Sequence, residues 1–373
     1  MIETPAIDGN TSFLNFFRAL AALWVAIAHC LMWGGDFVNF PDPKQAVDLF
    51  LVISGFLMIY TVDRSSAGWR SFYIRRFARI APAYCLSLMV VIMFAGLMAS
   101  GFDLLVSINA QKWSAAQYPP GDLDLGIFNV FLHLTFLFGF SPEHSSSTGL
   151  PDWSLALEVQ FYAAFPLFFL MARSAPLWLT GAAAAAAAIV LTKLYSLSGL
   201  PAFEEPSFLL FKLPYFLAGM MIYEGRKSRI HLGVALLLIA NGSRAYGLEG
   251  LILVAASASL AWFWLRRSPA FFAGRLVTFA SDASYSLYLF HGPVMIIVGS
   301  RIITWCLGSG YGREVALGIF LAAVLTLSYA IAWLSHRFVE RPGMAAGRRV
   351  ASRLRGNDLR SPAAAPARRE VVR

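Results

Sequence analysis

The chain has 373 residues, of which 58% are hydrophobic and only 14% charged, with a net charge of +9 and a mean hydropathy of +0.62. This composition excludes a water-soluble globular domain and places the chain among polytopic membrane proteins. Cys30, Cys85 and Cys306 lie in or beside apolar runs without CxxC spacing, so a disulfide framework and a zinc site are excluded too, and the three read as small core residues.

Eleven apolar segments run over about residues 13–33, 46–62, 80–100, 126–140, 153–172, 176–197, 207–224, 230–241, 248–265, 283–306 and 315–338. They predict an all-α, polytopic transmembrane bundle. The N-terminus, MIETPAIDGN, lacks the basic start of a cleavable signal, so the first segment is expected to be retained after twelve cytoplasmic residues.

The first segment, FLNFFRALAALWVAIAHCLMW, carries Arg18 and His29 inside a run long enough to cross the bilayer. Eleven positions apart, the two return to within about 20° of one helix face and are separated along the axis by about 16 Å. Either residue alone reads as a snorkelling arginine or a hydrogen-bonded core histidine. Together on one face they mark a substrate or proton path.

The loop DRSSAGWRSFYIRRFAR after the second segment holds five arginines against one aspartate. Residues 223–229, Arg266 with Arg267, and the C-terminal stretch are also basic, so all four are expected on the cytoplasmic side. Their parity is restored if the fourth segment, Gly126 to Phe140, is a re-entrant or in-plane helix, or if a further crossing lies within residues 102–125. Either solution gives ten crossings with both termini cytoplasmic. The C-terminal stretch 341–373 has nine arginines against Asp358 and Glu370 and reads as a disordered tail near anionic lipid headgroups. The basic balance therefore reflects topology and a tail, with no nucleic-acid partner expected.

In this topology His29 lies near the outer end of its helix. Asp48 enters the second helix from the same side and reads either as a helix N-cap or as a carboxylate beside His29. Glu158 in WSLALEVQFY lies at a similar depth, on one face with Ser154 and Tyr162. A carboxylate beside an imidazole raises its basicity and fixes its tautomer, as a general base requires. On the tenth segment Ser284, Tyr288 and His291 share a face and read as lining residues; Tyr285 and Tyr288 read equally as packing aromatics, and Gly292 and Pro293 break helix regularity. In HRFVERP, Arg337, Glu340 and Arg341 read as an ion-pair lock. His133, His144, His231 and His336 suggest no partner in sequence. DLD at 122–124 and GSGYG at 308–312 lack the context of sugar-nucleotide or dinucleotide sites, and no hydrolase, zinc-protease or P-loop pattern occurs.

FFRALAALWVAIAHC, VDLFLVISGFLM, RRFARIAPAY, WSLALEVQFY, SYSLYLFHGP and FVERP, in that order, resemble the motif series of the acyltransferase 3 family over about residues 11–343. The resemblance implies a membrane domain over residues 13–340 that moves an acyl group, by default acetyl, from cytoplasmic acyl-CoA to a hydroxyl of a carbohydrate or glycolipid at the outer face of the bacterial inner membrane. Acyl-CoA would be a co-substrate rather than a resident cofactor, and no metal is expected. Arg18 and His29 match the family's Arg/Lys–ten residues–His pattern, and Glu158 its helix carboxylate. Unlike longer members, the chain leaves no room for an appended esterase-like domain. In this scheme Arg75, Arg76 and Arg79 hold donor phosphates or serve topology alone, and Arg18 stands at the pantetheine entry. His29 acts as base for the acceptor hydroxyl, with Glu158 or Asp48 orienting it, or forms a covalent acyl-histidine. A transporter or flippase of a polar lipid-linked substrate is the competing class, since it too needs buried charge and broken helices.

Overall fold

A computed structural model describes residues 11–35, 40–65, 68–109, 123–266 and 268–358. All regular structure among them is helical. The N-terminal third forms α1 (Phe13–Gly34), α2 (Pro43–Asp63), α3 (Trp69–Met93) and the shorter α4 (Ala95–Ile108) and α5 (Ile127–Leu134). The middle forms α6 (Trp153–Ser174), α7 (Leu177–Leu197), α8 (Leu209–Glu224), α9 (Arg229–Ser243) and α10 (Leu248–Leu265). The chain ends in α11 (Arg275–Val294), α12 (Ser300–Gly308), α13 (Arg313–Ser335) and α14 (Arg341–Asp358).

Eight helical stretches among the described residues are long and apolar enough to cross a membrane. They are α1, α2, α3, α6, α7, α10, the run through α11 and α12, and the run from α13 into α14. The 16-residue α8 and 15-residue α9 are shorter and pack inside the same bundle, α8 along α2 and α7. The periphery is apolar, as lipid requires: Leu179, Val190 and Leu194 of α7 and Leu251 and Trp262 of α10 are exposed.

Backbones approach closely where glycines face each other. A Cβ added to Gly55 of α2 would lie 2.0 Å from the Phe216 carbonyl oxygen, and one on Gly219 of α8 would lie 1.9 Å from that of Val52. Small residues at such crossings let membrane helices gain dispersion contact where no hydrophobic drive exists between them. Asp42 caps α2, its carboxylate accepting from the Lys44 amide at 2.7 Å with Pro43 at the first helical position. Asp48, two turns inside, is therefore no cap.

The fourth apolar segment breaks up. Its helix, α5, has eight residues, about 12 Å of rise, too short to cross a hydrocarbon core of about 30 Å. Phe136 at φ 59° then reverses the chain into a 3₁₀ turn over Leu137–Phe140. A break also follows Pro293, but it is gentle: a π-helical turn over Met295–Gly299 joins α11 to α12 without ending the helix. Such turns absorb one extra residue inside a helix.

Residues from 341 onward do not begin an irregular tail. A second π-helical turn, His336–Glu340, carries α13 into α14, which lies back along α3. Gly343 and Gly347, one turn apart, face Pro82 and Ala78; a Cβ on Gly347 would lie 2.3 Å from that of Ala78. Ser71 Oγ donates to the Ala351 carbonyl at 3.2 Å. The small-residue spacing G-x-x-x-G, hidden in an arginine-rich stretch, makes this docking possible. Residues 359–373 lie outside the described residues.

Candidate active site

Two cavities lie at different depths of the bundle, both along α1. One, at the level of Arg18 and named the inner cavity for the cytoplasmic side on which the basic loops are expected, measures about 170 Å³ and is bounded by α1, α2, α3, α6 and α11. Arg18, Arg76 and Arg79 supply its charge, with Ser54, Ser154, Glu158, Tyr162, Ser284, Tyr285 and Tyr288 among its polar walls. Arg18 Nη2 donates to Ser284 Oγ at 3.4 Å. Arg76 Nη2 donates to Thr61 Oγ1 at 3.2 Å, its guanidinium 5.6 Å from the Tyr162 ring centroid. Arg79 pairs with Glu340 at 3.5 Å and stands 5.7 Å from the Tyr285 ring, whose hydroxyl donates to the Ile80 carbonyl at 2.8 Å. Arg75, on the same helix, lines neither cavity.

Glu158 belongs to this inner cavity. Ser54 Oγ donates to its Oε1 at 3.1 Å, and the Tyr162 hydroxyl donates to the same oxygen. Its charge acts on Arg18 and Arg76. It is not the partner of His29, because α6 turns that face toward α2 and α3.

Asp48 is also not beside His29. It is fully buried against α8, with Lys212 Nζ 2.7 Å from Oδ1 and 2.9 Å from Oδ2. A buried lysine requires a counter-ion, and Asp48 supplies it. Its face of α2 is turned toward α8 and away from His29.

The outer cavity, about 630 Å³, contains His29 and His291. His29 Nδ1 lies 2.8 Å from His291 Nε2, with the rings within 7° of parallel. His291 Nδ1 lies 3.1 Å from the Leu287 carbonyl, which can only accept. The neutral pair therefore has one consistent proton arrangement: His291 donates from Nδ1 and accepts at Nε2, and His29 donates from Nδ1. His29 Nε2, with no hydrogen-bond partner among the described residues, is left with its lone pair, the form a general base needs. Asp124, Glu143, His144, Ser146, Ser147, Glu204 and Glu205 make the rest of the polar wall. Burial pushes the Glu205 carboxyl up, opposed by Lys44 at 3.3 Å.

Ser154 and Tyr288 stand between the cavities. Their hydroxyls are 2.8 Å apart, and Tyr288 also donates to the carbonyl of Pro151, which lines the outer cavity. Both side chains line the inner one, and His291 begins the outer one a turn further along α11. Pro151 is held by its neighbour: buried Asp152 accepts from Tyr84 at 2.9 Å and pairs with His133 at 3.0 Å, while His133 Nε2 contacts Ser147 Oγ at 3.1 Å.

The remaining histidines have local partners: His231 the Ser228 carbonyl, His144 Asp124, and His336 both Asp282 and Glu340. The expected lock of Arg337, Glu340 and Arg341 is not formed. Glu340 is turned inward, bonded by Ser286 as well as Arg79 and His336, because the π-helical turn rotates it away from the two arginines.

These features define a helical bundle with membrane-length helices and a buried histidine pair at a polar cavity, and comparison with known proteins supplies its class. Residues 11–336 match the family described as an acyltransferase domain, and the chain belongs to the acyltransferase 3 family. It is 29% identical over 341 residues to the exopolysaccharide production protein ExoZ of Rhizobium meliloti, covering 85% of this chain and 95% of that protein. It is 30% identical over 179 residues to the peptidoglycan O-acetyltransferase OatA of Listeria monocytogenes, spanning 45% of this chain and 24% of OatA. The acyltransferase MdmB of Streptomyces mycarofaciens is 28% identical over 201 residues, 51% of this chain and 46% of MdmB. No solved structure matches the chain.

Proposed function

We propose that the protein is an O-acyltransferase of the bacterial inner membrane, moving an acyl group, by default acetyl, from cytoplasmic acyl-CoA to a hydroxyl of a carbohydrate or glycolipid at the outer face. The observation that carries this reading is His29, its Nε2 lone pair free beside the outer cavity and its other nitrogen fixed by His291. The basic loops support an orientation with the inner cavity and both termini on the cytoplasmic side. The named activities of OatA and the involvement of ExoZ in exopolysaccharide production support a glycan acceptor.

The donor's narrow pantetheine arm enters the inner cavity past Arg79 and Arg76, with Arg18 beside its polar amides. Tyr288 and Ser154 separate, and the thioester carbon reaches His29. The acceptor hydroxyl enters from the outer cavity and His29 Nε2 takes its proton as the oxygen attacks. The tetrahedral intermediate collapses, the C–S bond breaks, and the thiolate recovers that proton from His29 to leave as CoA–SH. His291 holds the transient imidazolium by accepting from its Nδ1–H. Glu158 does not touch the reacting atoms; it balances the charge of Arg18 and Arg76 along the arm's path.

The test is release of CoA from labelled acetyl-CoA by the protein in nanodiscs with an envelope glycan extract, wild type against His29→Ala. Acceptor-dependent release that disappears in the variant, with label in the glycan, supports the proposal. Glycan flux without thioester cleavage would establish a transporter instead.

A further inference from the structure

A third cavity, about 530 Å³, opens at the inner end of the bundle between α11 and the junction of α13 with α14. Its walls are Asp282, His336, Arg337, Arg341, Met344 and Arg348, with neighbouring small residues. On α14, positions 341, 344, 345 and 348 share one face, opposite the glycines that seat the helix on α3. The guanidiniums of Arg337, Arg341 and Arg348 have no hydrogen-bond or ion-pair partner among the described residues, and Arg348 is half-buried. Arg337 and Arg348 lie beyond residues 11–336, the part of the chain that matches the family, while Arg341 falls within the FVERP motif.

The groove adjoins the inner cavity. Arg79, a wall of that cavity, contacts Sδ of Met344 at 3.4 Å, and Met344 is a wall of the groove. Glu340 links Arg79 to His336, so the same ion pairs form the partition between the two spaces. On α11, Asp282 faces the groove and Ser284 the cavity, only two residues apart. An inner cavity of about 170 Å³ is below the several hundred Å³ of ordinary small-molecule pockets, so it fits a slender arm and not a nucleotide.

Resting on the acyl-CoA reading above, we propose that the groove of Arg337, Arg341 and Arg348 holds the 3′-phosphorylated nucleotide end of the donor while its arm passes Arg79 into the inner cavity. Planar guanidiniums on one face suit phosphate oxygens bidentately, and no salt bridge must be broken to free them. Asp282, on the same wall, accepts from a base amine or ribose hydroxyl, groups that a bare phosphate lacks.

Binding of labelled 3′-phosphoadenosine 5′-diphosphate to the full chain in phosphatidylcholine nanodiscs tests this directly. Wild type binds saturably, and Arg337→Gln/Arg341→Gln/Arg348→Gln binds about ten-fold or more weakly, the loss expected for charge-assisted contacts. Wild type also prefers this probe to ADP, and the triple variant does not. Arg349→Gln, exposed on the same helix but outside the groove, keeps wild-type affinity and reports on folding. Equal affinity in wild type and triple variant, or no binding by wild type, overturns the assignment. So does co-purified phosphatidylglycerol that is lost from the triple variant while nucleotide binding persists, which would make the groove a lipid headgroup site. Acetyl transfer, assayed separately, distinguishes the two readings: transfer with groove-independent nucleotide binding defeats only the groove. Groove-dependent binding without transfer from any acyl-CoA defeats the acyltransferase reading.

Discussion

His29 Nδ1 and His291 Nε2 lie 2.8 Å apart, and the Leu287 carbonyl fixes the proton on the far side of His291. On the proposed mechanism, removing His29 deletes the base and is expected to lower kcat by about 10²–10⁴. His291→Ala keeps the base but releases its tautomer, so a smaller loss of kcat is expected, with donor affinity held. Steady-state acetyl transfer by the two variants, alongside nucleotide binding, measures both. A donor-affinity loss equal to the kcat loss in His291→Ala would reject the relay.

Tyr288→Phe removes the hydroxyl that joins Ser154 and Pro151 while keeping the ring. The lost hydrogen bonds are expected to cost about 1 kcal/mol each in stability. The expected functional result is more CoA release without acceptor, because water from the outer cavity reaches the thioester. Acceptor-free release at or below the wild-type rate would show that these hydroxyls do not close the path.

The buried Lys212–Asp48 pair is expected to act structurally, so its two single variants should differ from the double. Lys212→Met strands a buried carboxylate and is expected to cost about 3–5 kcal/mol, whereas Asp48→Asn/Lys212→Met recovers much of that loss. Thermal unfolding in detergent gives the comparison. Full stability with lost turnover in Asp48→Asn would return this carboxylate to the reaction.

Gly219→Leu forces α8 away from the Val52 backbone of α2, where no flexible side chain can give way. The expected outcome is collapse of the monodisperse peak in gel filtration of the tagged protein. Gly233→Leu, with open space around it, is expected to elute as wild type.

The all-α bundle was legible because lipid demands long apolar helices, and Arg18 and His29 could be aligned by helical period alone. Partners across the bundle were not legible in that way. His291 is 262 positions from His29, and only packing of α1 on α11 brings them together. Depth in the membrane put Asp48, Glu158 and His29 at one level, but depth says nothing of which face each helix turns inward. Lys212 in LLFKLPYF carries a usable signal, since a lone lysine in an apolar helix demands a carboxylate, and Asp48 lies inside the apolar run of α2 whereas Asp63 ends that helix. The Glu204–Glu205 pair and the serine run 145–147 likewise hinted at a polar outer wall. The arginine content of residues 341–358 concealed a helix because charge dominated the reading over the Gly343–Gly347 spacing.

The hydroxyl pair of Ser154 and Tyr288 also bears on the membrane's permeability. Polar cavities above and below it, if joined, would form a wet corridor lined by histidines and arginines, through which protons would run down their gradient. On the proposed route, the 2.8 Å contact between these hydroxyls stands between the two cavities. On that route each turnover opens this contact around an acyl chain that fills the gap as it passes, so the substrate itself would serve as the stopper.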